Sequence, residues 1–430
     1  MHTIQFAHFC TKFDHMTQKQ AQAVDVDVIV VGAGPNGQAM ALALGSASLP
    51  SPIQVLLVDA RDPRSFAASG HDTRGTALTR ATQNLFKALG GFEDLKDHLA
   101  EMRDVIVTDG TGNHQSRPAL LSFATAENQK PAAAIAENRH IAAALMSAVD
   151  RSPAIALWSG TTVSAVDRTG GFAKLSFNDG RVAKAPLLIG ADGRNSYVRQ
   201  EAGIAVTSHD DGQAALTFTV SHDNPHGHRA EEHFSPDGVF AMLPLPGNRS
   251  SIVWGTAPDE AARLMALAEP VFEDELNARV GTHLGRLRVE GAKQAYPLKR
   301  QAALAITAPR TALIGDAAHT IHPLAGLGLN LGFKDVAILV ECIAAAMARG
   351  EDHGGTAVLQ RYEQWRRFDI VSTIAAMEGM NALFVNDWPL LRSLRQAGLR
   401  AVDALPSLKN AVMAEASGLN GAVPRLMRGV

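Results

Sequence analysis

VDVIVVGAGPNGQAMALALGSA (residues 26–47) passes from a β-branched apolar run through three spaced glycines into an Ala/Leu-rich segment. That order predicts a buried strand, a tight turn and a helix. A second apolar strand, IQVLLVDA (residues 53–60), ends in Asp59, about twenty residues beyond the third glycine, the spacing of a βαβ dinucleotide-binding unit. Each residue has a task. Gly32 permits the turn, Gly34 lets the backbone approach a pyrophosphate, and Gly37 allows close helix–strand packing. Asp59 accepts hydrogen bonds from ribose hydroxyls.

Far along the chain, TALIGDAAHTIHPLAGLGLNLG (residues 311–332) repeats the strand–acid–glycine–helix logic. An acid at a strand end, beside free N–H groups at a helix start, suits a polyhydroxylated ligand that gains electrons. APLLIGADGRNS (residues 185–196) is a third apolar strand ending in a glycine-flanked acid, Asp192-Gly193. GLGLNLG (residues 326–332) is not a second dinucleotide loop: it follows HPLA instead of a strand, and no strand-end acid stands at the required distance. One nucleotide domain assembled from separated segments is therefore expected. Between the segments, the spacing predicts helices over 79–89 and 137–149 and a hairpin turn at Asn178-Asp179-Gly180. Strand-rich stretches follow over 213–256, and the tail is helical from Gly355.

At 430 residues the chain accommodates two or three domains. Hydrophobic residues at 46% and charged residues at 19% mark a folded globular protein, not a disordered one. A net charge of −3 gives no reason to expect nucleic acid as a partner. Two cysteines, Cys10 and Cys342, are too few for a disulfide framework and point to a reducing compartment. The most apolar stretch, 336–348, is interrupted by Glu341 and is too short to span a membrane. Residues 1–25 lack the pattern of a secretory signal and read as a flexible arm, with Met16 an alternative start.

The three motifs GAGPNG (residues 32–37), GADGRNS (190–196) and GDAAHTIHPLAGLGLNLG (315–332), in that order, resemble the class A flavoprotein monooxygenases of the para-hydroxybenzoate hydroxylase fold. Within them the chain is most similar to the ubiquinone-biosynthesis hydroxylases. DTRGTAL (72–78), AENRHIAAAL (136–145), EEHFSPDGVFAMLPL (231–245), RYEQWRRFD (361–369) and the tail LRSLRQAGLRAVDALPSLKN add to the likeness, which extends over residues 26–430. The resemblance implies an α/β fold: a Rossmann-like FAD-binding domain (26–95, 133–205 and 298–350), an inserted β-sheet substrate domain (96–132 and 206–297) and a C-terminal helical region (351–430). It implies FAD, with Gly32, Gly34, Gly37 and Asp59 at the ADP half and Arg74 and Arg139 near the pyrophosphate and ribityl chain. Asp192 and Gly193 belong to the motif associated with FAD and NAD(P)H. Asp316 would hold the ribityl hydroxyls, and Gly326 and Gly328 would lie beside the ring. Two positions depart from the pattern: Asp59 replaces the commoner Glu, and Leu327 stands where relatives often carry Gln.

The implied reaction is aromatic hydroxylation with NAD(P)H and O2 through a flavin C4a-hydroperoxide, on a polyprenylated phenol of ubiquinone biosynthesis. A same-fold hydroxylase of a small soluble aromatic and a non-catalytic flavin-binding redox module are the alternatives. A halogenase is disfavoured, because its WxWxIP motif is absent. Met242, Leu245 and Trp254 are candidates for the wall over the ring, with plain sheet core as the other reading. No catalytic acid or base and no metal site is assigned. His319 and His322 stand near the flavin loop, but packing is the commoner role of such a turn histidine. His226, His228 and His233 read as a solvated loop, and Ser196 lacks a nucleophile elbow. The basic tail, with Arg392, Arg395, Arg400, Lys409, Arg425 and Arg428, reads either as an amphipathic helix packed on the flavin domain or as a surface meeting anionic lipid or a partner. A cytoplasmic location, peripheral at the inner membrane and with other ubiquinone-biosynthesis proteins as partners, accompanies the resemblance.

Overall fold

Val28–Val31, the run VIVV, is buried at every residue, as a strand covered on both faces must be. The computed structural model describes residues 23–46, 49–68, 72, 74–109, 119–125, 129–235, 237–321, 328–385, 405 and 413–429. Val28–Val31 is central in a six-stranded sheet. Val55–Asp59 and Ile155–Ser159 lie to one side in parallel register, and Leu187–Gly190 and Thr311–Leu313 to the other. The register sets Gly190 opposite both Val31 and Leu313. Three glycine motifs from distant parts of the chain thus end side by side at the carboxyl edge, where parallel sheets bind ligands.

The expected helices form. Arg80–Ala88 is capped by Thr79, whose Oγ1 accepts from the Thr82 N–H at 3.2 Å, and Asn138–Arg151 follows a strand, Ala133–Glu137. The hairpin turn at 178–180 has Gly180 at φ +83°. Strand order begins slightly earlier than expected: Val24–Asp25 pairs in parallel with Val182–Ala185.

An eight-stranded sheet stands against this body. Its backbone is a long antiparallel pair, Val206–His222 with Leu287–Ala303. The latter strand runs unbroken through the expected division at 297/298. The stretch 96–132 also divides: Ala100–Met102 pairs with Ala133–Glu137, whereas Asp104–Asp109 joins the large sheet. Helices Pro258–Ala266 and Glu269–Val280 cover one face, burying Phe218, Phe240, Met242, Ile252 and Trp254 against Leu264, Phe272 and Leu276. The other face packs Leu243 and Leu245 against Ala77 and Ile135.

The helix Gly328–Ala348 carries a fully buried carboxylate, Asp335. Its Oδ2 accepts from the Gly315 N–H at 2.8 Å and from His319 Nε2 at 2.7 Å, and its Oδ1 accepts from Arg366 Nε at 2.6 Å. Arg366, also fully buried, belongs to the helix Thr356–Val385 and bonds Asp369 as well. Tyr362, one turn earlier, donates its hydroxyl to the Leu313 carbonyl at 2.9 Å. Of the basic tail, Arg392, Arg395, Arg400 and Lys409 lie outside the described residues. Arg425–Arg428 forms a short helix, and Asn84 Nδ2 donates to the Met427 carbonyl at 3.1 Å.

Removing one partner of a buried ion pair leaves an uncompensated charge and costs about 3–5 kcal/mol. Arg366→Leu is expected to lower stability in urea by that order. Arg361→Leu, which breaks the exposed pair to Glu351, should cost under about 1 kcal/mol. Equal small losses in the two variants would show that the buried network is dispensable.

Candidate active site

The turn after Val28–Val31 is built without side chains because no room exists for them. Gly32 has φ +104°, and a Cβ there would lie 2.3 Å from the Ala191 carbonyl oxygen. At Gly37 a Cβ would lie 1.8 Å from the Gly32 oxygen. Gly34 differs: a Cβ there would meet nothing within 4 Å, since it faces an open cleft. Asp59 holds the loop, its Oδ2 accepting from the Ala33 N–H at 2.7 Å and its Oδ1 from the Arg61 N–H at 2.8 Å. The cavity at this end has a volume of about 610 Å³ and includes Gly34, Asp59, Gln38 and Arg74. Each Asp59 oxygen keeps a lone pair for a ribose hydroxyl.

The cleft continues past Gly34 and Arg74 into a second chamber of about 320 Å³, bounded by Asn36, Arg194, Tyr296, Asp316 and Gly328. Asp72, which the sequence reading left out of the site, clamps Arg74 through two hydrogen bonds of 2.7 and 2.6 Å. Asn138 Nδ2 donates to the same carboxylate at 3.2 Å. The bond to Asp72 pushes the Arg74 guanidinium above its ordinary pKa, so it stays charged beside the Tyr296 ring, 5.7 Å away. Asp316 follows Gly315, which has φ +57°. Its carboxylate is accessible from the cleft yet walled by protein on its other sides, and desolvation pushes its pKa up against the charges of His319, Arg194 and Arg74.

Several polar atoms around the cleft await partners. Asn36 is wedged between two glycines: a Cβ at Gly315 or Gly332 would lie 2.3 or 2.2 Å from its Nδ2. Asn36 Oδ1, Gln38 Oε1 and Thr320 Oγ1 are buried without a hydrogen-bond partner. Orphaned buried groups of this kind carry a desolvation cost that a polar ligand relieves. A carboxyl acceptor at each end, glycine backbone between, and a clamped arginine fit FAD laid from Asp59 to Asp316.

The other expected residues are distributed unevenly. Gly193 and Arg194 border the second chamber. Asp192 instead turns away to receive Ser196 Oγ at 2.5 Å and the Val198 N–H at 3.1 Å. Arg139 donates to Glu137 at 2.9 Å and does not border either chamber. Glu137 is 2% exposed, with Arg249 Nη1 at 3.5 Å and His140 Nε2 at 3.4 Å. His319 is committed to Asp335, which leaves it a positioning role. Met242 and Trp254 project from the sheet face covered by helices, away from the cleft; strand alternation gives Val253 and Tyr296 the cleft side. Leu245 is on the cleft-side face but closed in by Ala77 and Ile135. His226 Nε2 bonds the Leu245 carbonyl at 2.8 Å, and His233, expected in a solvated loop, is buried in a strand. Gly326, Leu327 and His322 lie outside the described residues.

Comparison with known proteins agrees with this geometry. A protein-family model for an FAD binding domain matches residues 25–374. The chain is 39% identical over 381 residues to the ubiquinone hydroxylase UbiL of Rhodospirillum rubrum, covering 88% of each chain. It is 33% identical over 367 residues to the 3-demethoxyubiquinol 3-hydroxylase of Escherichia coli, covering 85% of this chain and 92% of that one. Among solved structures, the p-nitrophenol 4-monooxygenase PnpA of Pseudomonas putida superposes with a TM-score of 0.76 at 19% identity, over 93% and 99% of the two chains. That likeness is one of fold.

Two measurements check the site. Gly37→Ala should destabilise the apoprotein severely, whereas Gly34→Ala should leave apoprotein stability unchanged and weaken FAD binding at least about tenfold, ~1.4 kcal/mol. Equal effects of the two on apoprotein melting would refute the cradle. For Glu137, burial works to raise the carboxyl, but hydrogen bonds from His140 and Arg139 and the charge of Arg249 hold it at about 2. A depressed folded value contributes stability that is complete above the ordinary glutamate range and is lost as pH falls through about 2. Glu137→Gln should therefore flatten the acid limb of the stability profile below about pH 4.5. A limb as steep as the parent's would remove Glu137 from that role.

Proposed function

The chain belongs to the FAD-binding-domain family of flavin-dependent monooxygenases, and from that premise we propose that it hydroxylates the ring of a polyprenylated phenol in ubiquinone biosynthesis. NAD(P)H and O2 are its co-substrates. The carrying observation is the cleft joining Asp59 to Asp316 beneath the large sheet, in a chain 39% identical to a ubiquinone hydroxylase. FAD held there would supply the redox chemistry that couples nicotinamide oxidation to oxygen transfer onto an electron-rich ring.

The protein's contribution is placement, charge and dryness. Asp59 and Asp316 would anchor hydroxyls at opposite ends of the cofactor, and the open Gly34 backbone would let its phosphates approach. Arg74, held by Asp72, supplies a fixed positive charge at the junction. The helix Gly328–Ala348 starts at the second chamber. The positive end of its dipole favours negative charge there by about 0.3–1 kcal/mol. Val253, Leu298, Ile314 and Leu329 make the chamber partly apolar, which restricts the water that would divert activated oxygen. Such a substrate resides in lipid, so the enzyme meets the bilayer peripherally, on its cytoplasmic side. Among the described residues no helix is long and apolar enough to cross a membrane.

The test is NAD(P)H oxidation and oxygen uptake by the holoprotein with a detergent-solubilised octaprenylphenol and with small soluble phenols. Coupled formation of a hydroxylated octaprenylphenol is expected, and Asp316→Ala should lower flavin content on purification. Coupled product from small phenols alone would overturn the substrate assignment. Failure of every phenol to stimulate turnover would overturn the hydroxylase reading.

A further inference from the structure

A third cavity, of about 650 Å³, lies between the helices Arg80–Ala88, Gly328–Ala348 and Arg425–Arg428. It shares no bordering residue with either chamber of the cofactor cleft. Five cations converge on it: Arg80, Lys87, Lys130, Arg425 and Arg428. The single acid at its border is Glu341, whose Oε2 accepts from the Arg425 backbone N–H at 2.8 Å. None of the five cations pairs with an acidic side chain among the described residues. Lys87 rests over the Phe92 ring at 4.7 Å, and Arg428 Nε donates to the Val423 carbonyl at 2.7 Å. The floor is apolar, formed by Val340, Ala344, Leu419 and Leu426.

Like charges gathered in a concavity repel one another unless an anion sits among them. A soluble inorganic anion would satisfy the charges and leave the apolar floor wet. An amphiphile whose phosphate meets the cations while its apolar stem covers Val340 and Leu426 satisfies both. We propose that this groove docks anionic phospholipid headgroups at a bilayer surface. The short helix Arg425–Arg428 thereby becomes one wall of a lipid site, and the groove fixes which side of the flavin domain meets the membrane. The inference rests on the peripheral reading above only for the source of the lipid.

The test uses the holoenzyme and vesicles of phosphatidylcholine alone or with phosphatidylglycerol, separated by flotation at low and high salt. Binding is expected only with phosphatidylglycerol, falling as salt rises. The variant K87E/R425E/R428E should bind at least about tenfold more weakly. Its flavin content should be unchanged, as should its turnover of a detergent-solubilised octaprenylphenol. That last readout separates failure of this proposal from failure of the substrate assignment. Should charge reversal unfold the chain, the neutralising pair K87Q/R428Q replaces it, with a partial loss of binding and a shallower salt dependence expected. Variant binding equal to the parent's, or parent binding equally well to neutral vesicles or to neither, would overturn the proposal. Complete release from vesicles by millimolar inorganic phosphate at constant ionic strength would assign the groove to a soluble phosphate instead.

Discussion

A carboxylate with no access to water sits where the Gly315 turn, His319 and the helices Gly328–Ala348 and Thr356–Val385 meet, behind the Asp316 end of the cleft. Asp335 is tolerable in that position only because three donors converge on it, from Gly315, His319 and Arg366. Burial works to raise its pKa, yet the charges of His319 and Arg366 and the bonds to it hold it below the usual carboxylate range. A buried charge so dependent on its partners acts as a geometric specification: the groups around it have one satisfactory arrangement. That arrangement fixes the Gly315 backbone at positive φ and so decides where the next residue, Asp316, directs its side chain.

The parallel sheet makes the same site possible at a larger scale. Strand register brings the ends of Val28–Val31, Leu187–Gly190 and Thr311–Leu313 into line, so that three motifs, each weak by itself, form one edge. Close packing then removes side chains from Gly32, Gly37, Gly315 and Gly332 for steric reasons, and the Asn36 amide occupies the space between the last two. The unpartnered oxygens of Asn36, Gln38 and Thr320 mark the places where the fold left polar capacity for something other than protein.

Much of this was legible in the sequence where chemistry and chain position coincide. The glycine turn, Asp59 and Asp316 follow from local patterns, because each works within its own strand–turn–helix unit. Asp72, Asn138, Tyr296 and Asp335 were missed, since their significance depends on partners from remote segments, as in the Asp72–Arg74–Tyr296 stack. Arg139 sits in a familiar motif, yet its side chain is engaged by Glu137. Met242 and Trp254 show a different limit. An apolar residue in a strand announces burial but not the face that buries it, and helices Pro258–Ala266 and Glu269–Val280 make the far face as apolar as the near one. Tyr296 and Val253 could have been favoured only by knowing the register of the long strand pair.

The position of Arg366 along the chain bears on how the protein is made. A ribosome releases the Asp59 end of the cleft early, but the partner that completes the Asp335 network emerges only after most of the chain has been synthesised. Until then Asp335 lacks its third donor, and the Asp316 end of the cleft is unfinished. A chain cut short before Arg366 would therefore present the Asp59 end of the cleft with the Asp316 end unsettled.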